Sequence, residues 1–146
     1  MKASLSEKLA GAWALVSFEL ESTAGKINYP MGKDAEGSIF YTEDGFVSVN
    51  IMRKGRDSFI QNGHDETKEL RWLDLPYLAY SGKYVLEEKK PAITHWVEVG
   101  LYPEWIGQGQ QRLISWIGED LQLSTAESAG IDGQARLVWT RKKSKN

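Results

Sequence analysis

Apolar and polar residues alternate along most of this chain in short runs, and clusters of turn-forming residues separate the runs. Alternation with period two places successive side chains on opposite faces of a strand. The first run is Gly11–Ser22, with Trp13, Val16, Phe18 and Leu20. Residues 23–35 hold Gly25, Asn28, Pro30 and Gly32, and read as a loop. Gly37–Thr42 is a second strand, Asp44-Gly45 is a hairpin signal, and Phe46–Arg53 pairs back. Further strands are predicted at Tyr80–Glu88, Ala92–Tyr102, Gln110–Ile117, Leu121–Thr125 and Gln134–Arg141. Two stretches break the rhythm. Residues 4–10, with Ser4 or Ser6 as N-cap and Glu7 in the first turn, predict a short helix that Gly11 stops. The 54–78 excursion turns at Lys54-Gly55-Arg56-Asp57 and carries helical residues from Asp65 to Leu73 before Pro76. A short helix there would lie over a barrel mouth, plug a barrel end or pack outside.

Eight short strands with regular turn signals point to an all-β fold. The two chain ends favour a closed form, an eight-stranded antiparallel up-and-down barrel. Gly11-Ala12-Trp13 opens the first strand and Trp139-Thr140-Arg141 closes the last. An indole can cap one end of the core while a guanidinium from the final strand lies over its face, a contact worth roughly 0.5–2 kcal/mol. Trp13 and Arg141 are therefore the expected plug. A barrel of this size has an interior about wide enough for one small ligand.

Composition narrows the partners. A length of 146 residues suits one domain spanning 1–146. The net charge of −2 gives no field for a polyanion, so nucleic acid is not an expected partner. The chain has no cysteine, which excludes disulfides, thiolate nucleophiles and thiolate metal sites. The first residues are too polar for a signal peptide, and no apolar run is long enough to span a membrane. The cytoplasm is the expected location. The six Trp and six Tyr are the unusual feature, and they supply core packing or the walls of an apolar pocket.

Several segments together carry a resemblance. They include Gly11-Ala12-Trp13-Ala14-Leu15-Val16-Ser17-Phe18, Ile39-Phe40-Tyr41-Thr42 with Asp44-Gly45, and Asn50-Ile51-Met52-Arg53. Tyr77-Leu78-Ala79-Tyr80-Ser81-Gly82-Lys83-Tyr84, His95-Trp96-Val97-Glu98-Val99 and Leu101-Tyr102-Pro103-Glu104-Trp105-Ile106-Gly107 follow in order. Leu121-Gln122-Leu123-Ser124-Thr125 and Arg136-Leu137-Val138-Trp139 complete the match. The chain resembles the lipocalin-like domain family, a branch of the calycin β-barrels. The resemblance implies a barrel that binds apolar ligands in some relatives and cyclises or isomerises them in a few.

Alternation also assigns faces. Ala135, Leu137, Trp139 and Arg141 share the inner face of the last strand. His95, Val97, Val99 and Leu101 form the apolar face of their strand and are expected to point inward. Tyr41, Tyr84, Arg112, Ile114 and Trp116 join them. In Phe46–Arg53 two sets compete, and Asn50 and Met52 are taken as inward over Val47, Val49 and Ile51. The first strand holds a conflict: Trp13 must face in, yet Val16, Phe18 and Leu20 have the opposite phase. A bulge or an outer helix would reconcile them.

The expected ligand site is Tyr41, Asn50, Met52, Tyr84, His95, Arg112, Trp116 and Trp139, holding an apolar or amphipathic small molecule. His95 is the candidate for chemistry, since an imidazole exchanges protons near neutral pH. It is either an acid–base group for a cofactor-free isomerase or cyclase, or a buried neutral histidine with both nitrogens bonded. Arg112 either faces in, toward a ligand carboxylate, or lies on a solvated outer face. His64 and the basic loop Arg53-Lys54-Gly55-Arg56 read as solvated. Two histidines with no H-x-H or HExxH spacing make no metal motif, and no cofactor is expected. A homodimer, through a barrel edge or the 54–78 excursion, stays open.

Overall fold

The structure is a computed structural model and describes residues 4–55, 73, 75–126 and 132–143. His64, Arg56 and the helix expected within 65–73 lie outside the described residues, Leu73 excepted. The chain forms α1 (Leu5–Leu9) and then β1 (Gly11–Glu21), β2 (Ile27–Asn28), β3 (Glu36–Tyr41) and β4 (Phe46–Met52). It continues with β5 (Tyr77–Leu86), β6 (Ala92–Gly100), a 3₁₀ turn (Pro103–Trp105), β7 (Gly109–Ile117), β8 (Asp120–Thr125) and β9 (Gln134–Arg141). Strands β3 to β9 pair with their sequence neighbours, β1 pairs with β3, and β1 also pairs with β9. Every pairing is antiparallel. The result is the closed eight-stranded barrel that the sequence predicts, with β2 a two-residue extension on the far end of β1.

Two bulges reset the strand phases. Along β1 and β9 the register passes from Leu15↔Trp139 to Ser17↔Val138, so Val16 is the extra residue. Trp13 faces in before it and Phe18 after it, each 1% exposed, while Val16 is 50% exposed. This bulge resolves the conflict in the first strand and removes Val16 from the inner set. In β6 the register passes from Ser81↔Val99 to Gly82↔Val97, so Glu98 is extra. Val99 and Leu101 therefore point outward, at 61% and 45% exposure, against the expectation from alternation. Gly82 makes the second bulge feasible: a Cβ there would sit 1.8 Å from the Trp96 carbonyl oxygen.

The strand starts of β1, β4, β6 and β8 share the end that α1 closes. Ser4 caps this helix, its hydroxyl accepting from the Glu7 amide. A five-residue helix leaves most of its carbonyls without helical partners. Here the plug supplies them. Trp13 Nε1 donates to the Leu9 carbonyl at 2.9 Å, and Arg141 donates to the carbonyls of Ala10 and Lys8. The Arg141 guanidinium lies 4.2 Å from the Trp13 ring centroid. Gly11 has φ of 118°, and a Cβ there would meet Arg141 Nη1 at 2.8 Å, so both backbone and space favour glycine. At the opposite end Met31 and Trp105, both from loops, are buried, as is Leu73. No helix among the described residues is long and apolar enough to cross a membrane.

Candidate functional site

The barrel interior narrows to a cavity of about 30 Å³. Six apolar side chains line it: Ile39, Val49, Ile51, Leu78, Leu123 and Leu137. Four polar ones join them: Tyr80, His95, Arg112 and Trp139. Period-two alternation in β5, β6, β7 and β9 delivers these four to the inside.

His95 stands at the centre of a three-residue chain. Its Nε2 lies 2.7 Å from the Tyr41 hydroxyl and its Nδ1 2.7 Å from the Tyr80 hydroxyl. Burial pushes the imidazole pKa down to about 3, and the charge of Arg112 adds to the effect. His95 is therefore neutral, with one nitrogen donating and the other accepting. Burial raises the Tyr80 hydroxyl to about 12, the nearby Arg112 charge working the other way. Burial likewise raises Tyr41 well above its ordinary value, with Tyr80 as the next contribution.

Arg112 faces inward and is 6% exposed. Its Nη1 donates to the Gln111 carbonyl at 2.9 Å, and the guanidinium lies 5.7 Å from the Trp105 ring centroid. Burial lowers its pKa, while proximity to the Tyr80 and Tyr41 hydroxyls raises it. Glu98, the bulged residue of β6, lies on the exposed outer face. Trp139 is 1% exposed, and its Nε1–H is buried without a hydrogen-bond partner among the described residues.

The structure thus gathers three of the expected site residues, His95, Arg112 and Trp139, around one cavity, with Tyr41 directly behind His95. The others lie elsewhere. Asn50 and Met52 are on the outer face of β4, because Val47, Val49 and Ile51 take the inside. Asn50 Oδ1 accepts from the Tyr77 hydroxyl at 3.0 Å, and both residues border an open outer groove of about 390 Å³. Tyr84 is buried, but its hydroxyl donates to the Thr42 carbonyl and its ring meets Tyr41 edge-on, away from the cavity lining. Trp116 belongs to the plug: Lys8 Nζ sits 4.2 Å from its ring centroid and the Trp13 ring 6.1 Å away.

Alternation from Tyr84 and Gly82 reaches Tyr80, so Tyr80 was within reach of the sequence pattern. Trp105 was not, since it comes from a loop beyond Pro103. It packs edge-on against Tyr80, with ring centroids 5.6 Å apart.

A closed, end-plugged β-barrel with a small polar cluster inside an apolar wall defines a protein of the lipocalin kind. The chain belongs to the lipocalin-like domain family, whose model matches residues 10–142. It is 32% identical over 108 residues to the 4'-hydroxy-3'-methoxypropiophenone carrier protein ppsC of Aspergillus oryzae, a match covering 65% of this chain and 96% of that protein. Among solved structures, a redesigned β-barrel aligns over 97% of this chain and 100% of its own, at 11% identity and a TM-score of 0.43.

Proposed function

We propose that this chain binds a small apolar or amphipathic molecule inside its barrel and carries it unchanged. One observation supports the reading above the others: a buried indole N–H with no partner among the described residues borders a largely apolar cavity that also holds Tyr80, His95 and Arg112. A buried donor left unmade costs about 1–3 kcal/mol, and an acceptor brought by a ligand removes that cost. The likeness to a carrier protein for an aryl ketone agrees with it.

The second reading, catalysis by His95, is weaker on physical grounds. A useful acid–base group has a pKa near the working pH. An imidazole held neutral down to about pH 3 is a poor base, and a tyrosine raised to about 12 is a poor acid. Both ring nitrogens of His95 are also engaged. The Tyr41–His95–Tyr80 chain orients hydroxyls and leaves no group poised to transfer a proton.

The cavity of about 30 Å³ has room for a water or two. An organic ligand enters only as inner side chains shift, so affinity is gross burial minus that displacement. Burying roughly 300 Å² of apolar surface gives about 7 kcal/mol before association costs, which points to micromolar binding. The test is a titration with 4'-hydroxy-3'-methoxypropiophenone, alongside fatty acids, terpenoids and polyketides, read by intrinsic Trp fluorescence and by thermal unfolding. At ligand a hundredfold above Kd, stabilisation of about 2.7 kcal/mol should raise Tm by roughly 5–10 °C. If no compound in the panel moves either signal, the carrier reading is wrong. Turnover of a bound compound that the His95→Gln variant loses while keeping its affinity would favour the catalyst.

A further inference from the structure

Trp13 and Trp139 are each 1% exposed, yet the fold treats their indoles differently. Trp13 Nε1 has an acceptor, the Leu9 carbonyl at 2.9 Å. Trp139 Nε1 has none among the described residues. Its register partners, Leu15 on β1 and Leu121 on β8, bring no acceptor in their side chains. The other polar groups around the cavity are committed. Both His95 nitrogens are bonded to tyrosine hydroxyls. Arg112 is engaged by the Gln111 carbonyl and the Trp105 ring. Burial keeps the Tyr41 and Tyr80 hydroxyls protonated, and a ligand hydroxyl in the same surroundings keeps its proton for the same reason. What the cavity lacks is an acceptor for one N–H. What it disfavours is a further charge, or a further proton in need of a partner.

Resting on the carrier reading above, we infer that the barrel binds its ligand as a neutral carbonyl compound, with the carbonyl oxygen accepting from Trp139 Nε1. A carbonyl oxygen accepts and does not donate, so it completes the orphan N–H and brings no proton of its own. A hydroxyl could accept there too, but its own proton would then compete for the tyrosine oxygens that the His95 chain uses. A carboxylate would enter as a charge, and with Arg112 already engaged its desolvation costs more than one hydrogen bond returns. A single water can occupy the same place, since the cavity is about 30 Å³, and the carbonyl oxygen displaces it. The ligand class is then a ketone, ester or lactone on an apolar skeleton. The skeleton lies against Ile51, Leu123 and Leu137.

A matched pair of probes isolates the carbonyl. One is 4'-hydroxy-3'-methoxypropiophenone. The other is 2-methoxy-4-propylphenol, which has a methylene where the first has C=O. Both are titrated at about pH 6, where both phenols are protonated. The ratio of ketone affinity to alkyl-phenol affinity should be about tenfold higher in the wild type than in Trp139→Phe, which keeps a ring and removes the donor. In proton NMR of the wild type, one of the six indole N–H resonances should move downfield with the ketone and stay in place with the alkyl phenol. As pH rises past the ketone's own ionisation point, its affinity should fall, by up to tenfold per unit, because the anion is excluded. The wild-type resonances and pH profile decide alone if the variant fails to fold. Equal ratios in the two proteins, no indole resonance that answers to the ketone alone, or tighter binding of the ionised ketone overturns this inference and leaves the carrier reading standing. Failure of both probes to bind overturns this inference together with carriage of that ligand.

Discussion

At the scale of single residues, His95 ties stability to pH. Its pKa is about 3 when folded, against an ordinary value of 6.5, because burial disfavours the imidazolium. Between those two values the unfolded chain takes up a proton that the folded one does not. Stability is therefore fully present above about pH 6.5 and falls as pH drops, by up to about 1.4 kcal/mol per unit. Unfolding free energies from denaturant titrations at pH 7 and pH 4.5 should differ by about 2–3 kcal/mol more in the wild type than in His95→Gln, which keeps a donor and an acceptor but does not titrate. Parallel behaviour of the two proteins over that range would remove the buried neutral imidazole from the account. The charge of Arg112 left its face open, whereas His95 and Trp139 were legible as inward residues because each sits in phase with clearly apolar neighbours. Asn50 and Met52 were not. Their strand carries two plausible faces, and three β-branched residues (Val47, Val49, Ile51) outcompete an amide and a thioether for the interior, since burying an amide without partners is costly. The Tyr41–His95–Tyr80 chain has no sequence signal, because it depends on three strands meeting.

At the scale of elements, all eight barrel strands were legible, and what escaped was where their phase changes. Alternation assumes one residue per step, and a bulge adds a residue that belongs to neither face. The β6 bulge at Glu98 turned Val99 and Leu101 outward while leaving His95 and Val97 inside, an outcome that depends on the close approach at Gly82. In β1 the conflict between Trp13 and Phe18 was itself the trace of a bulge, and the structure puts it at Val16. The phases there lead to a contrast between neighbours. Val16→Thr changes a half-exposed side chain and should alter stability by less than about 0.5 kcal/mol. Phe18→Ala removes a side chain that is 1% exposed and should cost about 3–5 kcal/mol. Deleting Val16 makes Leu15↔Trp139 and Ser17↔Val138 consecutive pairs and keeps Trp13 and Phe18 on one face of a regular strand, so it should cost less than Phe18→Ala. Urea unfolding of the three variants checks the ranking, and a deletion variant destabilised more than Phe18→Ala would show that Val16 is not simply an extra residue in the strand.

At the scale of the whole molecule, closure and occupancy pull against each other. The ends of the chain meet, α1 and the Trp13–Arg141 pair seal one mouth, and Met31, Leu73 and Trp105 are buried toward the other. Side chains fill the interior down to about 30 Å³, far below the several hundred Å³ of ordinary ligand pockets. A ligand bound inside this barrel, as proposed, would have to displace part of the core, so space and stability should trade directly. Leu123 is the place to test this, since it lines the cavity from β8, is 4% exposed, and lies between its register partners Ile114 and Leu137. Leu123→Ala leaves the polar cluster in place and opens a void beside it. Thermal unfolding should show a loss of about 2–5 kcal/mol. Affinity for 4'-hydroxy-3'-methoxypropiophenone should move the other way, by about tenfold, because room that the wild type must create is already present. A variant that loses stability yet binds the probe no better would place the ligand outside the barrel, most plainly in the outer groove beside Asn50, Met52 and Tyr77.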